Sequence, residues 1–301
     1  MSKSNSIVVF GSANVDLVVR CARLPRPGET VTGSGHQLLP GGKGANQALA
    51  ARRAGGDVSF CGAVGRDAFA DTALANLIEA GVGLDGLHRI DAPTGLASIC
   101  VDASGENAIA ISPGANAAAA LARDMTADDL LVTQNEVPAA AVGEAHRRAK
   151  AAGARVVHNA APAAPLSADQ MQLIDDLIVN ELEFAEIARA FDSAPDPTPE
   201  GLLALAKATE TRIVVTLGPA GARAALGGVL LDVPARAIKP LDTTGAGDAF
   251  VGAYAAALAA GGDDEAALSF AVAAGTLACL ALGAQSSSPT AAEIEAHLSG
   301  A

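Results

Sequence analysis

Apolar residues along this chain fall into short runs and long ones. Residues 7–10 (Ile-Val-Val-Phe), 58–61, 130–134, 155–158, 177–179 and 213–217 are short runs, apolar at their centres. Runs of that length without polar alternation mark strands buried on both faces. Between them, 68–80, 139–152 and the stretch around 204–207 carry apolar residues at helical spacing. Two longer runs, 249–260 and 270–284, read as buried helices. Strands separated by helices predict an α/β fold with right-handed crossovers. Its central, mostly parallel sheet carries helices on both faces.

Two segments break this rhythm. Residues 17–40 hold only short extended pieces (17–19, 30–32 and 37–39), split by Pro25, Pro27, Gly28, Gly33 and Gly35. Residues 94–102 and 107–111 have the same strand-and-turn character. Two all-β pieces inside an α/β chain predict a small second sheet, formed by about 14–40 and 94–112. At 301 residues the chain is long enough to bury one full core, so 1–301 reads as a single domain with that appendage. Residues 194–199 (Ala-Pro-Asp-Pro-Thr-Pro) read as a mobile loop.

The polar breaks carry the candidate chemistry. Asp242-Thr243-Thr244-Gly245-Ala246-Gly247-Asp248-Ala249-Phe250 follows an extended approach and precedes the 249–260 run. A polar cluster ahead of an apolar run predicts a helix N-terminus. Its unpaired N–H groups, in a glycine-lined corner, suit an anion. Asp248 beside them reads as a general base for a hydroxyl, or as a simple helix cap. Gly41-Gly42-Lys43-Gly44-Ala45-Asn46 opens another helix. It is not a Walker A loop, which needs Ser or Thr after its Lys and a Gly five positions before its second Gly. Lys43 and Asn46 read as hydroxyl ligands or as solvated surface groups. Asn14 and Asp16, two apart, face one way on an extended exit and suit a polyol, or else a turn. Asn180 and Glu183 lie three apart beyond the 177–179 strand, on one face of a starting helix. A carboxylate there suits water-mediated magnesium, or an acidic first turn. The five histidines form no close-spaced ligand set.

Charge and composition narrow the classes. A net charge of −13, no Trp and only Tyr254 argue against a nucleic-acid surface. Cys21, Cys61, Cys100 and Cys279 have no paired spacing and read as reduced thiols. No export signal opens the chain, and the 249–260 run is too short to span a membrane. A cytoplasmic protein is expected, with no nucleic-acid or membrane partner.

Residues 242–250 resemble the C-terminal signature of the ribokinase-like (PfkB) carbohydrate kinases, and residues 41–46 resemble the N-terminal one. The likeness runs from about Val8 to Pro289. Within the family, Asn14-Val15-Asp16, 41–47, Gly114-Ala115-Asn116 and Gly283-Ala284-Gln285 are similar to the ribose-phosphorylating branch. The resemblance implies an ATP-dependent kinase that converts D-ribose to D-ribose 5-phosphate. Fructose, adenosine and pseudouridine are the alternative acceptors. It implies Asp248 as base, with Gly245, Ala246 and Gly247 as the anion hole. Asn14, Asp16, Gly42, Lys43, Asn46 and Glu136 become sugar contacts, with Glu136 alternatively a surface acid. Asn180, Thr216, Gly218, Gly221 and Gly247 become nucleotide contacts. Glu183 would orient Mg²⁺ through water, and Asp242, Thr244, Gly283 and Ser287 would hold an activating K⁺. The small sheet becomes a lid and a homodimer contact. Two departures touch the cation loop: 279–282 lacks a basic residue, and Ser286-Ser287-Ser288 replaces a stiffer turn. Two rivals from other classes are a dinucleotide oxidoreductase and a sugar-binding protein without catalysis. The first lacks Gly-x-Gly-x-x-Gly, since Phe250 stands where the third Gly belongs. Retention of Asp248 and Glu183 argues against the second.

Overall fold

The computed structural model describes residues 5–300. Its strands are β1 (Ser6–Phe10), β2 (Asn14–Cys21), β3 (Gly33–Gly41), β4 (Asp57–Gly65), β5 (Gly83–Ile90), β6 (Gly95–Val101) and β7 (Asn107–Ser112). They continue as β8 (Asp129–Thr133), β9 (Arg155–Asn159), β10 (Asp176–Asn180), β11 (Arg212–Thr216), β12 (Ala222–Leu226) and β13 (Val229–Val233). The helices are α1 (Lys43–Arg53), α2 (Ala68–Glu79), α3 (Ala139–Ala152), α4 (Ala168–Met171) and α5 (Glu181–Ala190). After them come α6 (Pro199–Thr209), α7 (Ala246–Ala259), α8 (Asp264–Ala278) and α9 (Ala291–Ser299).

Nine strands form the main sheet in the order β13-β12-β11-β10-β9-β8-β1-β4-β5. Neighbours are parallel except at β11–β12 and β12–β13. The short apolar runs are buried on both faces, as a parallel sheet requires. Ile7 and Val9 pack with residues of α1, α2, α7, α8 and α9 on one face. Val8 and Phe10 pack with α3 on the other, where Leu177, Val179, Ile213 and Val215 meet α5 and α6. Among the described residues, no helix is long and apolar enough to cross a membrane. All four cysteines are free.

The second sheet is β3-β2-β6-β7, with β2–β6 parallel and both outer pairs antiparallel. Residues 30–32 lie outside it, against expectation. Cys21 already pairs with Gly33 at the end of β2, so they have no partner. Three strands and two helices escaped prediction, the short α4 among them although Ser167 and Gln170 form a capping box. β5 is a glycine-broken edge strand; β12 is alanine-rich and becomes a strand by extending β11, and β13 (Val-Leu-Leu-Asp-Val) adds to it through the Gly227-Gly228 turn. α9 had a legible signal in Thr290 and Glu293, which form a reciprocal capping box. The 270–284 run is helical only to Ala278; at Gly283 (φ 85°) the chain is left-handed, and 279–288 form turns. The 194–199 stretch is tied down at its far end. Arg223 Nη1 donates to the Pro197 carbonyl at 2.9 Å, and Thr198 caps α6. His146 and His158 are buried around the Thr133 hydroxyl, and burial pulls both below the ordinary histidine range, His146 to about 4.

At the amino ends of the central strands one buried carboxylate joins several elements. Asp176 accepts from Arg155 Nε at 2.6 Å, Arg212 Nε at 2.8 Å and the Tyr254 hydroxyl at 3.1 Å. Arg212 also reaches Asp264 at the start of α8. Removing one partner from such a network strands the opposite charges in the interior. Asp176→Ala should therefore cost about 3–5 kcal/mol in urea unfolding, with turnover per folded molecule unchanged. A loss under about 1 kcal/mol would show that Asp176 does not hold these strands.

Candidate active site

Ligands in open α/β sheets bind beyond the carboxyl ends of the strands, and the candidate residues gather at that edge. α1 and α7 begin there side by side. Gly252 allows their contact, because a Cβ on it would stand 2.6 Å from Ala50 Cβ and from Ala51 N. Gly44 packs α1 as tightly on the exit of β1, where a Cβ would stand 2.6 Å from Ser12 N. Gly42, at φ 91°, turns the chain from β3 into α1. Gly245, at φ 79°, turns it into α7, and a Cβ there would meet Ala284 Cα at 2.5 Å.

Asp248, in the first turn of α7, is 6% exposed. Its Oδ2 accepts from Asn46 Nδ2 and its Oδ1 from Gln47 Nε2, both at 2.9 Å. The carboxylate is thus not a helix cap: its hydrogen bonds go across to α1. Gln47 Nε2 also donates to Asn159 Oδ1 at 3.0 Å, and Gln47 Oε1 accepts from Gln134 Nε2 at 2.7 Å. Gln47, Asn159 and Gln134 were not singled out by sequence reasoning. Only the position of Gln47, directly after the glycine motif, hinted at a role.

On one side of Asp248 lies a polar cluster. Asn14 Oδ1 accepts from Asn116 Nδ2 at 2.7 Å, which fixes the amide. Glu136 accepts from Ser12 Oγ at 2.5 Å and from the Lys43 backbone N–H at 2.9 Å. It is therefore bound into the cluster and is not a free surface acid. Gly41 leaves room for the Asp16 carboxylate, whose oxygens would lie 2.4 and 2.5 Å from a Cβ and would have to move aside for one. Burial pushes the Asp16 carboxyl up to about 6, helped by Glu136 and Asp248. Lys43 is held above the ordinary lysine range. Asp248 is the main cause, and Glu136 and Glu183 add to it against the cost of burial.

On the other side opens a largely apolar cavity of about 450 Å³. Thr216, Gly218, Gly221 and Gly247 line it, as do Pro219, Ile238, Phe250, Val272, Thr276 and Cys279. Residues 235–240 and the α8 contribution carry no polar motif and were not foreseen. Gly247 has open space where a Cβ would be. Asn180 lies at the adjacent strand end, paired in register with Thr216. It does not line the cavity: its Oδ1 caps α5 by accepting from the Glu183 N–H at 2.8 Å. Glu183 returns the bond to the Asn180 N–H at 2.8 Å, and burial raises its carboxyl above the ordinary range.

The third group lies behind the start of α7. Asp242 Oδ1 accepts from the Thr244 N–H and Oδ2 from the Gly283 N–H, both at 2.9 Å. Burial alone would raise the Asp242 carboxyl, but these N–H groups outweigh it and hold it below the usual range. The Ser287 N–H donates to the Gly283 carbonyl at 3.2 Å, which closes the turn. The Ser287 and Ser288 hydroxyls are buried with no hydrogen-bond partner among the described residues.

The profile of the pfkB family of carbohydrate kinases matches residues 4–291, and the chain belongs to that family. It is 37% identical to a ribokinase of Bacillus subtilis over 98% of this chain and 99% of that one. The ribokinase structure from Thermotoga maritima superposes with a TM-score of 0.88 at 32% identity, covering 98% and 99% of the two chains. The Arabidopsis thaliana ribokinase complexed with ribose and ATP superposes at 0.86 and 30% identity, covering 97% and 98%.

The raised carboxyl of Asp16 has a consequence for stability. In the unfolded chain it titrates near its ordinary 3.8, and in the fold at about 6. Its contribution to stability is full below the lower value and is lost as pH rises through the upper one. Asp16→Asn should gain on the order of 2 kcal/mol over the parent at about pH 8 and almost nothing at about pH 4. Urea unfolding at both pH values checks this, and an equal gain at both would refute the titration.

Proposed function

We propose that this chain is a ribokinase, transferring the γ-phosphoryl group of ATP to the 5-hydroxyl of D-ribose. The observation that carries this reading is the position of Asp248. It stands at a glycine-lined helix N-terminus between a buried polar cluster and an apolar cavity. The full-length similarity to ribokinases, one of them complexed with ribose and ATP, supports the same acceptor.

In this reading Asn14, Asp16, Gly42, Lys43, Asn46 and Glu136 hold the sugar hydroxyls. The reacting hydroxyl faces Asp248, which takes its proton as the new O–P bond forms and the bond to the leaving ADP breaks. N–H groups of residues 245–248 hold the equatorial phosphoryl oxygens and stabilise charge in transfer. Lys43, ringed by carboxylates, offsets their repulsion of the incoming phosphates. Thr216, Gly218 and Gly221 border the nucleotide, with Asn180 beside them. Among the described residues no three His, Cys, Asp or Glu side chains are grouped to cage a metal. That fits Mg²⁺ carried on phosphates and water, with Glu183 ordering its water shell through the oxygen not used in the capping box. Asp242, the Gly283 turn and the unpartnered Ser287 hydroxyl fit a large monovalent cation such as K⁺, with Thr244 beside them. When bound, that ion would stiffen the backbone of residues 243–247.

The small sheet supports a lid that excludes water, the competing acceptor. Its outer strands β3 and β7 have free edges, and Leu38, Leu39, Ile109 and Ile111 are exposed on them. Uncovered edges of that kind favour pairing with a second copy, so a homodimer through the lids is part of this reading.

A panel of D-ribose, fructose, adenosine and pseudouridine, assayed for ATP turnover, tests the acceptor. D-ribose should give the highest kcat/KM, and preference for a nucleoside or hexose would overturn it. Asp248→Asn should lower turnover at least ~10²-fold with both KM values nearly intact; near-parental turnover would remove Asp248 from the chemistry. Potassium should raise turnover above its value in a bulky organic cation at matched ionic strength. Asp242→Ala should abolish that difference, and equal parental rates in the two salts would dismiss the cation role.

A further inference from the structure

Gln285 lies outside both the polar cluster and the apolar cavity, yet it stands one side chain away from Asp248. A carboxylate only accepts hydrogen bonds. Asn46 must therefore present Nδ2 to Asp248, at 2.9 Å, and turn its Oδ1 backwards. The group behind must donate, and Gln285 Nε2 does so at 3.0 Å. Gln285 Oε1 is then left to accept, and Asn76 Nδ2 on α2 supplies the bond at 2.9 Å. One charge thus fixes the polarity of three amides in a row. Asn46 and Gln285 are 6% and 3% exposed, so water does not substitute readily for a lost member. Charged groups around it include Arg53, whose Nη1 donates to the Gln285 carbonyl at 3.5 Å and which acts on Glu293 of α9, Asp248 beyond Asn46, and Asp242, which accepts from the Gly283 N–H of the same loop.

We propose that Gln285 is a positioning residue that orients Asn46, and through it Asp248. It thereby links the 279–288 loop to the base by side chains as well as by backbone. The inference rests on the reading of Asp248 as the base. Gln285→Glu tests it with little change of shape, since it keeps the acceptor toward Asn76 and removes the donor toward Asn46. At saturating ribose and Mg·ATP, kcat should fall about tenfold to a hundredfold near pH 8. The KM for Mg·ATP should stay within about twofold, because Gln285 lies outside the cavity and acts only through Asn46. Gln285→Leu, which removes the donor toward Asn46 and the acceptor toward Asn76 together, should show a loss at least as large. The side-chain amide resonances of Asn46, followed by NMR without substrate, should shift in both variants at pH 8. Unchanged kcat with unmoved Asn46 resonances would overturn the proposal. So would a fall in kcat with unmoved Asn46 resonances, which would make Gln285 a packing residue. Absence of ribose turnover in the parent would defeat the kinase reading alone, and the Asn46 resonances would still decide the relay.

Discussion

The site depends on the near-contact of two helix N-termini. α1 and α7 come from parts of the chain about 200 residues apart, and each starts at a glycine with positive φ. Their backbones touch because Gly252 has no side chain to hold them apart. That contact brings Asn46 and Gln47 within hydrogen-bond reach of Asp248. An alanine at 252 would not remove any functional group. It would separate the groups that hold the carboxylate from the carboxylate itself.

Electrostatics make the arrangement demanding. Asp16, Glu136, Glu183 and Asp248 converge in a protein of net charge −13, on a place proposed for a polyphosphate. Burial first, and then repulsion from Glu136 and Asp248, raises the Asp16 carboxyl. Three things offset that repulsion: the charge of Lys43, the N–H groups at the two helix starts, and the Asn46 and Gln47 amides that donate to Asp248. Asp16 still costs stability at neutral pH. Such a cost is expected where binding chemistry, and not packing, selects the residue.

The fold was largely legible because a parallel sheet buried on both faces leaves short unbroken apolar runs, and β1, β8 and β10 are such runs. What stayed hidden lacked that signature. β12 is alanine-rich and becomes a strand by pairing with β11 and β13, and the end of the 270–284 run is an apolar loop, not a helix. The site was legible where glycines mark backbone constraints, at 41–46 and 242–250. It was illegible where neutral amides form contacts across the fold. Gln47, Gln134 and Asn159 have no local pattern, since their partners are 87 to 201 residues away. The apolar cavity wall from 235–240 and α8 was hidden for the opposite reason. A surface that accepts a flat apolar face looks, in sequence, like any other part of the core.

The two ends of the sheet divide the work by charge type. At the amino ends, Asp176 is paired with Arg155, Arg212 and the Tyr254 hydroxyl, and Arg212 also with Asp264. At the carboxyl ends the polar groups are held in place but not saturated. Asp248 has two amide partners and retains lone pairs. Glu183 spends one oxygen on its cap, and Ser287 and Ser288 keep free hydroxyls. Buried polar groups without partners are costly, so a fold retains them where a ligand will complete them. The saturated network anchors the strands, and that rigidity lets the opposite edge hold unsaturated groups in one geometry before any ligand arrives.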